Sequence, residues 1–542
     1  MYVLGLNAGS ATSHDPAACL VDGDGRVLAF IEEERLTRKR HGLAQQPVRS
    51  IEACLRMAGI TAADVDVVVV GWDEPRMAAR AGRPWGFDSA REFLAGVGLI
   101  DADNHHGPAR LPDLQFVSHH RAHAVSTFYA SPYQEAAVLV VDGNGEDESI
   151  SIFRASRGQQ PVRLVSWPRV YSLGYLYEET TKWLGMSAVL HAGKTMGLAA
   201  YGRCGAPAGP SWLWIADGRL NSMLGVDPVL DYGEIRAGWR GELGRWAGAP
   251  RAETPIPELA GDPAAVRLAW ASQSIIETVM GWLAGQAREL TGLPALCMAG
   301  GVALNCAANG RLPGPVYVPP VPNDTGVALG AAWSVAPPTR IEPFVPYTGG
   351  EPGTLSVIPE HVRRTELDVD RVAELIAAGS IGAVCRGRSE VGPRALCHRS
   401  ILASPKREDM RDRVNARKDR ERWRPFGPVS NVDNDLWRPV GDLERYMVGA
   451  AQVTEAGRAA IPAVVHADGT TRPQRLDPTA EPFVDALLTR LADGDHPPAL
   501  LNTSFNGPGE PLVETADDAL ACARRQGLDF LVLNDELLTF DS

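Results

Sequence analysis

The chain opens twice in the same way, and that repetition constrains its fold more than any other feature. One opening runs from Val3-Leu4-Gly5-Leu6-Asn7 through the polar turn at His14-Asp15 to Ala18–Val21, a Gly-rich turn and Val27–Glu32. The other starts at Ala136 with Val138-Leu139-Val140-Val141-Asp142, passes the turn Gly143-Asn144-Gly145 and continues into Ile150–Phe153. Strand, polar turn, strand is thus written twice about 135 residues apart. The pattern predicts a duplicated α/β fold with one polar turn from each half facing a cleft. Two unrelated hairpins would give the same local pattern.

At 542 residues the chain exceeds one ordinary core. The stretch from Ala336 to Gly353 holds five prolines and three glycines, which forbid a helix or central strand there. We therefore expect two parts, 1–345 and 346–542. Further strands are expected at Val67–Trp72, Ala295–Met298 and Val316–Val318. A long helix is expected over Pro263–Thr291, with Asp262 as N-cap and Gly292 as stop. The second part reads as a smaller α/β unit, with strands Ile381–Arg386, Ala499–Asn502 and Phe530–Leu533 and helices Asp370–Ala378, Arg407–Arg417 and Ala516–Arg525.

A net charge of −13 argues against a nucleic-acid partner. Apolar runs such as Ala136–Val141 and Val67–Val70 are strand-length, so no membrane span is expected. Met1 leads straight into Tyr2-Val3-Leu4 with no basic leader, which points to a cytoplasmic protein. Eight cysteines without a Cys-x-x-Cys pair read as buried hydrophobes.

Four groups of residues could do chemistry. Ser118 is a candidate N-cap for a helix carrying His119, His120 and His123. His119 and His123 are four apart and share a face. Asp142 and Asp324 each follow a strand, where carboxylates of open α/β sheets point into clefts. Two histidines and two carboxylates suit iron, manganese or zinc. The pair is equally compatible with solvated histidines on a capped helix. In the second group, Gly300-Gly301 joins a strand to a helix, where backbone amides favour an anion, and Asn305 follows as a partner for a base or sugar. Lys194, in Gly193-Lys194-Thr195-Met196-Gly197, is one of only five lysines; the others are Lys39, Lys182, Lys406 and Lys418. Third, His14 in the first polar turn is a candidate general base, because an unperturbed imidazole titrates near neutrality.

The fourth group lies in the second part. Between Arg386 and Arg424 there are thirteen basic and six acidic residues, a positive island in an acidic chain that fits a small phosphorylated ligand. Within it, Arg394, Lys418 and Arg424 neighbour proline, tryptophan or phenylalanine rather than open charge runs. Arginine suits bidentate phosphate contact and lysine a point contact. Ser504 and Asn506, after an apolar strand, add a hydroxyl and an amide.

In this order the motifs resemble the O-carbamoyltransferase family of antibiotic and nodulation-factor biosynthesis, over nearly the whole chain. The resemblance rests on His14-Asp15, Glu32-Glu33-Glu34-Arg35, His119-His120-x-x-His123-Ala124, Asp142-Gly143, Gly193-Lys194-x-Met196-Gly197-Leu198-Ala199, Gly300-Gly301-Val302-Ala303-Leu304-Asn305, Gly392-Pro393-Arg394-Ala395-Leu396, Arg424-Pro425-Phe426 and Asn502-Thr503-Ser504-Phe505-Asn506. It implies an actin/sugar-kinase-like, ribonuclease H-like first domain, shared with tRNA threonylcarbamoyl transferases, and a YrdC-like α/β second domain. It also implies metal ligation by His119, His123, Asp142 and Asp324. Iron (Fe2+) is the family's usual metal; Mg2+, Mn2+ and Zn2+ are the alternatives. Nucleotide or phosphate contacts would come from Gly143, Lys194, Gly300, Gly301 and Asn305 in the first domain, and from Arg394, Lys418, Arg424, Ser504 and Asn506 in the second. The implied reaction makes carbamoyl-adenylate from ATP and carbamoyl phosphate. It then carbamoylates a hydroxyl of a small-molecule natural product, with His14, Arg394, Lys418, Arg424 and Ser504 as the reacting or activating groups. The chain departs from the family pattern at Ala192 (usually Glu), Ala200 (usually Pro) and Cys397 (usually Gly). A sugar-kinase-type phosphotransferase and a non-enzymatic nucleotide or metal sensor are the competing readings. A monomer or homodimer is expected.

Overall fold

A computed structural model of the chain describes residues 1–8, 14–101, 111–203, 209–225, 231–251, 254–360 and 362–540. The chain forms two compact units. The first comprises residues 1–174, 283–304 and 314–350, and the second 175–282, 305–313 and 351–542. The last crossover lies five residues beyond position 345. Residues 175–282 and 305–313, which precede that position, belong to the second unit.

The first unit contains two five-stranded sheets of one topology. Edge to edge, the first runs Val27–Glu32, Ala17–Asp22, Tyr2–Asn7, Val67–Val70 and Asp113–Phe116. The second runs Val162–Pro168, Glu148–Ser156, Glu135–Val141, Leu296–Ala299 and Val316–Tyr317. In each, three antiparallel strands form a meander and two parallel strands extend it on the far side of the first. In each, a helix follows the fifth strand: His119–Ala130 in one half and Thr325–Val335 in the other. The duplicated, ribonuclease H-like fold of the actin/sugar-kinase type is therefore present. The first strands of the halves are buried along nearly their whole length, which is why they read as continuous apolar runs.

The two helices cross at Gly330. A Cβ there would lie inside the carbonyl of Ala122 on the facing helix, so only glycine permits the approach. Gly330→Ala is expected to cost about 3 kcal/mol, the upper end of overpacking costs. A lowered guanidinium midpoint followed by tryptophan fluorescence would show it; an unchanged midpoint would refute the packing described.

The second unit is built on an eight-stranded mixed sheet. Its order is Val362–Glu366, Glu536–Phe540, Phe530–Leu533, Gly382–Cys385, Arg399–Ala403, Leu500–Ser504, Gly427–Ser430 and Gln474–Arg475. Alternate residues feed two cores. Ala383, Cys385 and Ile401 lie with residues of helices Asp409–Arg417 and Ala516–Arg525, whereas Val384 and Leu402 lie with helices Val369–Ala377 and Pro482–Ala492. Trp212 and Trp239 are buried in this unit. In the first unit Trp85 packs on Phe87, Phe93 and Phe116. These tryptophans fill cores, as large aromatics usually do. Cys397 holds a positive φ of 87°, the conformation glycine takes most cheaply, and this accounts for the glycine the family pattern has there. Among the described residues no helix is long and apolar enough to cross a membrane.

Candidate functional site

The first unit gathers four of the expected side chains. His119 and His123 stand one turn apart on the helix after the fifth strand of the first half. Asp142 follows the first strand of the second half, and Asp324 precedes that half's last helix. One ligand atom from each lies within 4.8 Å of all the others. His119 Nε2 is 3.1 Å from Asp142 Oδ2 and 3.5 Å from Asp324 Oδ1; His123 Nε2 is 3.3 and 3.6 Å from the same oxygens. The two Nε2 atoms are 3.1 Å apart, and both histidines are fully buried. Burial opposes charge on His119, but Asp324 and Asp142 outweigh it and raise that imidazole to about 10. Burial likewise opposes charge on Asp142 and Asp324, yet the histidines hold both carboxyls below the usual range.

The scaffold that aims these groups is specific. Asp142 Oδ1 accepts the amides of Gly143 at 2.7 Å and Gly301 at 3.1 Å, which turns Oδ2 toward the histidines. Gly300 makes this possible: its φ is 91°, and a Cβ would collide with the Val141 carbonyl. The glycines expected to cradle a nucleotide thus organise a carboxylate in this structure. Asp324 occupies an N-cap position, but its side chain makes no cap hydrogen bond and faces the histidines instead. Ser118 does not cap its helix through its side chain either. The carboxylate of Glu146 reaches in and accepts the His119 amide at 2.8 Å, satisfying a helix-terminal donor. Trp72 stacks on the His119 ring at 3.7 Å. His120 points elsewhere, toward Ser151 Oγ at 2.8 Å, and burial holds it well below the ordinary histidine value.

The turn bearing His14 is tied to the same frame. Asn7 ends the first strand of the first half, the place Asp142 follows in the second. Its amide donates to the carbonyls of His14 and Asp15, while its Oδ1 accepts Trp72 Nε1 at 3.2 Å. Asp15, His41 and Glu34 form a second cluster beside it. Glu146, Trp72, Asn7 and His41 are not among the site residues that the sequence singles out, because only the fold brings them to the site.

In the second unit Lys418 is 2% exposed. Its ammonium donates to the carbonyls of Ser504 and Asn506 and to Asn506 Oδ1, while Ser504 Oγ donates to that same Oδ1 at 2.7 Å. The lysine therefore turns inward onto the 504–506 turn. Arg424 lies on the adjoining turn and shares Glu421 with Lys194, whose Nζ is 2.6 Å from Glu421 Oε1. Burial pulls the Lys194 ammonium below its ordinary value despite that partner. Arg394 sits half-buried on a loop fixed by Glu390, which accepts the amides of Leu396 and Arg399. That loop joins the 500–504 strand through Asn502, which donates to the Ala395 carbonyl at 3.1 Å. Asn305 exchanges hydrogen bonds with Gln273 and caps a short helix, so its amide is internally paired.

The chain thus joins a duplicated α/β unit with a convergent His–Asp cluster to a second α/β unit that carries the arginine-rich segment. Residues 3–207 and 254–333 match the family described as Carbamoyltransferase N-terminus, and residues 373–539 match Carbamoyltransferase C-terminus. The chain belongs to the carbamoyltransferase family and is an enzyme of carbamoyl transfer. It is 33% identical to nodulation protein NolNO of Sinorhizobium fredii, over 97% of this chain and 79% of that protein. It is 28% identical to the 3'-hydroxymethylcephem-O-carbamoyltransferase of Amycolatopsis lactamdurans, over 96% of this chain and 97% of that one. Among solved structures it is similar to component A of (R)-2-hydroxyglutaryl-CoA dehydratase from Acidaminococcus fermentans, with 14% identity and a TM-score of 0.33 over 62% of this chain and 97% of that one.

Proposed function

We propose that the enzyme forms carbamoyl-adenylate from carbamoyl phosphate and ATP, then transfers the carbamoyl group to a hydroxyl of a small-molecule natural product. The convergence of His119, His123, Asp142 and Asp324 in the unit that also carries His14 is the observation that carries this reading. The relative acting on a hydroxymethylcephem supports a hydroxyl of a small molecule as the acceptor.

Carbamate is a poor acyl donor, and attachment to AMP gives it a good leaving group. In the first half-reaction water cleaves carbamoyl phosphate to carbamate and inorganic phosphate, and a carbamate oxygen then attacks the α-phosphorus of ATP as pyrophosphate departs. Arg394 and Arg424 neutralise charge growing on the phosphoryl oxygens. Arg424 is held by Glu421 until a phosphate competes for it, and Lys194 keeps Glu421 neutralised afterwards. Ser504 offers its hydroxyl from the turn that Lys418 braces from beneath. In the second half-reaction the acceptor oxygen attacks the carbamoyl carbon, AMP leaves, and His14 takes the hydroxyl proton.

Two Nε2 atoms and two carboxylate oxygens, buried and aimed at one point, fit a first-row divalent ion. His119, His123, Asp142 and Asp324 would hold it, and when bound it supplies Lewis-acid polarisation. Iron is the ion the family resemblance favours.

The products test this reading. The enzyme is incubated with ATP, carbamoyl phosphate and a panel of methyl glucoside, a 3'-hydroxymethylcephem and water alone. Pyrophosphate and AMP are expected, strictly dependent on carbamoyl phosphate. Release of ADP would instead make it a phosphotransferase, and absence of any turnover would favour a sensor.

A further inference from the structure

We infer that Asp15 is the positioning carboxylate of the transfer step, holding His14 in the tautomer that accepts a proton at Nε2, and that His41 in turn fixes Asp15. The inference rests on the assignment of His14 as base in the proposed reaction. His14 Nδ1 lies 3.1 Å from Asp15 Oδ2, and His41 Nδ1 lies 2.6 Å from Asp15 Oδ1. Asn323 Nδ2 donates to Oδ2 at 3.1 Å. One buried carboxylate therefore receives two imidazoles and an amide.

A carboxylate accepts only, so the proton between His14 and Asp15 sits on Nδ1 and the ring's lone pair sits on Nε2. An aspartate hydrogen-bonded to Nδ1 plays this role in the Ser-His-Asp triad, where it orients the ring and stabilises the imidazolium without being protonated. Burial pushes Asp15 toward the neutral acid, but His41 and His14 outweigh it and hold the carboxyl well below the usual range.

The backbone is bent to make the arrangement. Asp15 and His41 both have positive φ, 57° and 61°, and the Asp15 amide donates to the His41 carbonyl at 2.7 Å. Left-handed non-glycine residues are uncommon, and they persist where surrounding structure holds them. Glu34 contributes by accepting the His41 amide at 2.6 Å. Asn7 fixes the carbonyl side of the same turn and links it through Trp72 to the His119 ring.

In the step itself the acceptor O–H proton passes to His14 Nε2 as the new O–C bond forms. The C–O bond to the AMP phosphate breaks, and AMP leaves with its electron pair. Asp15 stays ionised throughout, facing the imidazolium.

Asp15→Asn and the pair His41→Phe and His41→Asn test the inference. Asparagine tolerates positive φ at both positions, and at 41 its amide can replace the donated N–H. The readouts are single-turnover transfer to whichever member of the panel above the wild type carbamoylates, and carbamoyl-phosphate-dependent pyrophosphate release. Asp15→Asn is expected to slow transfer about 10²–10⁴-fold, as loss of the orienting charge does in a triad. The half-saturating acceptor concentration and pyrophosphate release should stay within about threefold. His41→Phe should slow transfer about tenfold and His41→Asn should restore it to within about threefold, a partial effect because Asp15 itself remains. Should Asp15→Asn fail to fold, the His41 pair decides. Transfer by Asp15→Asn within threefold of wild type, or His41→Asn falling as far as His41→Phe, would overturn the inference. If His14→Ala itself transfers normally, it is the base assignment that fails; loss in His14→Ala with retention in Asp15→Asn removes only the role given to Asp15.

Discussion

Replacing His14 with alanine is expected to slow carbamoyl transfer by about 10²–10⁴-fold, the usual contribution of a positioned general base. Pyrophosphate release from ATP and carbamoyl phosphate should continue, so carbamoyl-adenylate should accumulate. His14 is suited to this because its side chain is 37% exposed while the carboxylate it contacts is buried. Quenched-flow measurement of each half-reaction checks the prediction. Unchanged transfer, or equal loss of both half-reactions, would contradict it.

Replacing His119 and His123 together by alanine is expected to have the second large effect. Removing both nitrogens leaves Asp142 and Asp324 as two buried carboxylates facing each other. Like charges in that setting disfavour ionisation of at least one. The variant should retain less than about a tenth of the metal bound by wild type, since half of the donors are gone and the remainder repel. Transfer should be lost, pyrophosphate release should persist, and the ion-free protein should unfold at lower temperature, because the His119 charge that now compensates the carboxylates is missing. Metal content by plasma mass spectrometry is the primary readout, and a thermal melt in excess chelator is the second. Wild-type metal content in the double variant would show that the cluster does not hold the ion.

How much of this was legible in the sequence depends on whether the signal was local. The helix Pro263–Thr291 and the helix Ala516–Arg525 announce themselves through caps and stops, and the second is closed at its start by a Thr515–Asp518 capping box. The repeated strand openings led to the duplicated fold because fully buried strands carry their own apolar signature. Asp113–Phe116 was not visible: it alternates exposed and half-buried residues over four positions. Val362–Glu366 is an exposed, charged edge strand. Arg399–Ala403 begins with a buried arginine that a strand reading rejects. It is tolerated because its guanidinium donates to the carbonyls of Arg386, Gly387, His398 and Glu514.

The site divides in the same way. Asp142 and Asp324 were legible because strand ends and helix starts place side chains predictably. The amides of Gly143 and Gly301 were assigned to a ligand, since sequence shows that glycine frees an amide but not which oxygen claims it. The sequence reads Lys418 as a phosphate contact because it stands in the positive island close to Trp423 and Phe426. Its partners at 504–506 lie 86 and 88 residues away. The His14–Asp15–His41 arrangement required two left-handed residues 26 apart to meet, which no local pattern encodes.

The two-centre account is tested most directly by following a labelled carbon. Wild-type enzyme is mixed with 13C-carbamoyl phosphate and ATP, without acceptor, and the products are examined by mass spectrometry before and after the acceptor panel is added. The label should appear first in carbamoyl-adenylate with one pyrophosphate released per label, then leave it for the acceptor's hydroxyl as AMP is freed. Label reaching the acceptor in the absence of ATP, or ATP converted to ADP while the carbamoyl phosphate stays intact, would contradict it.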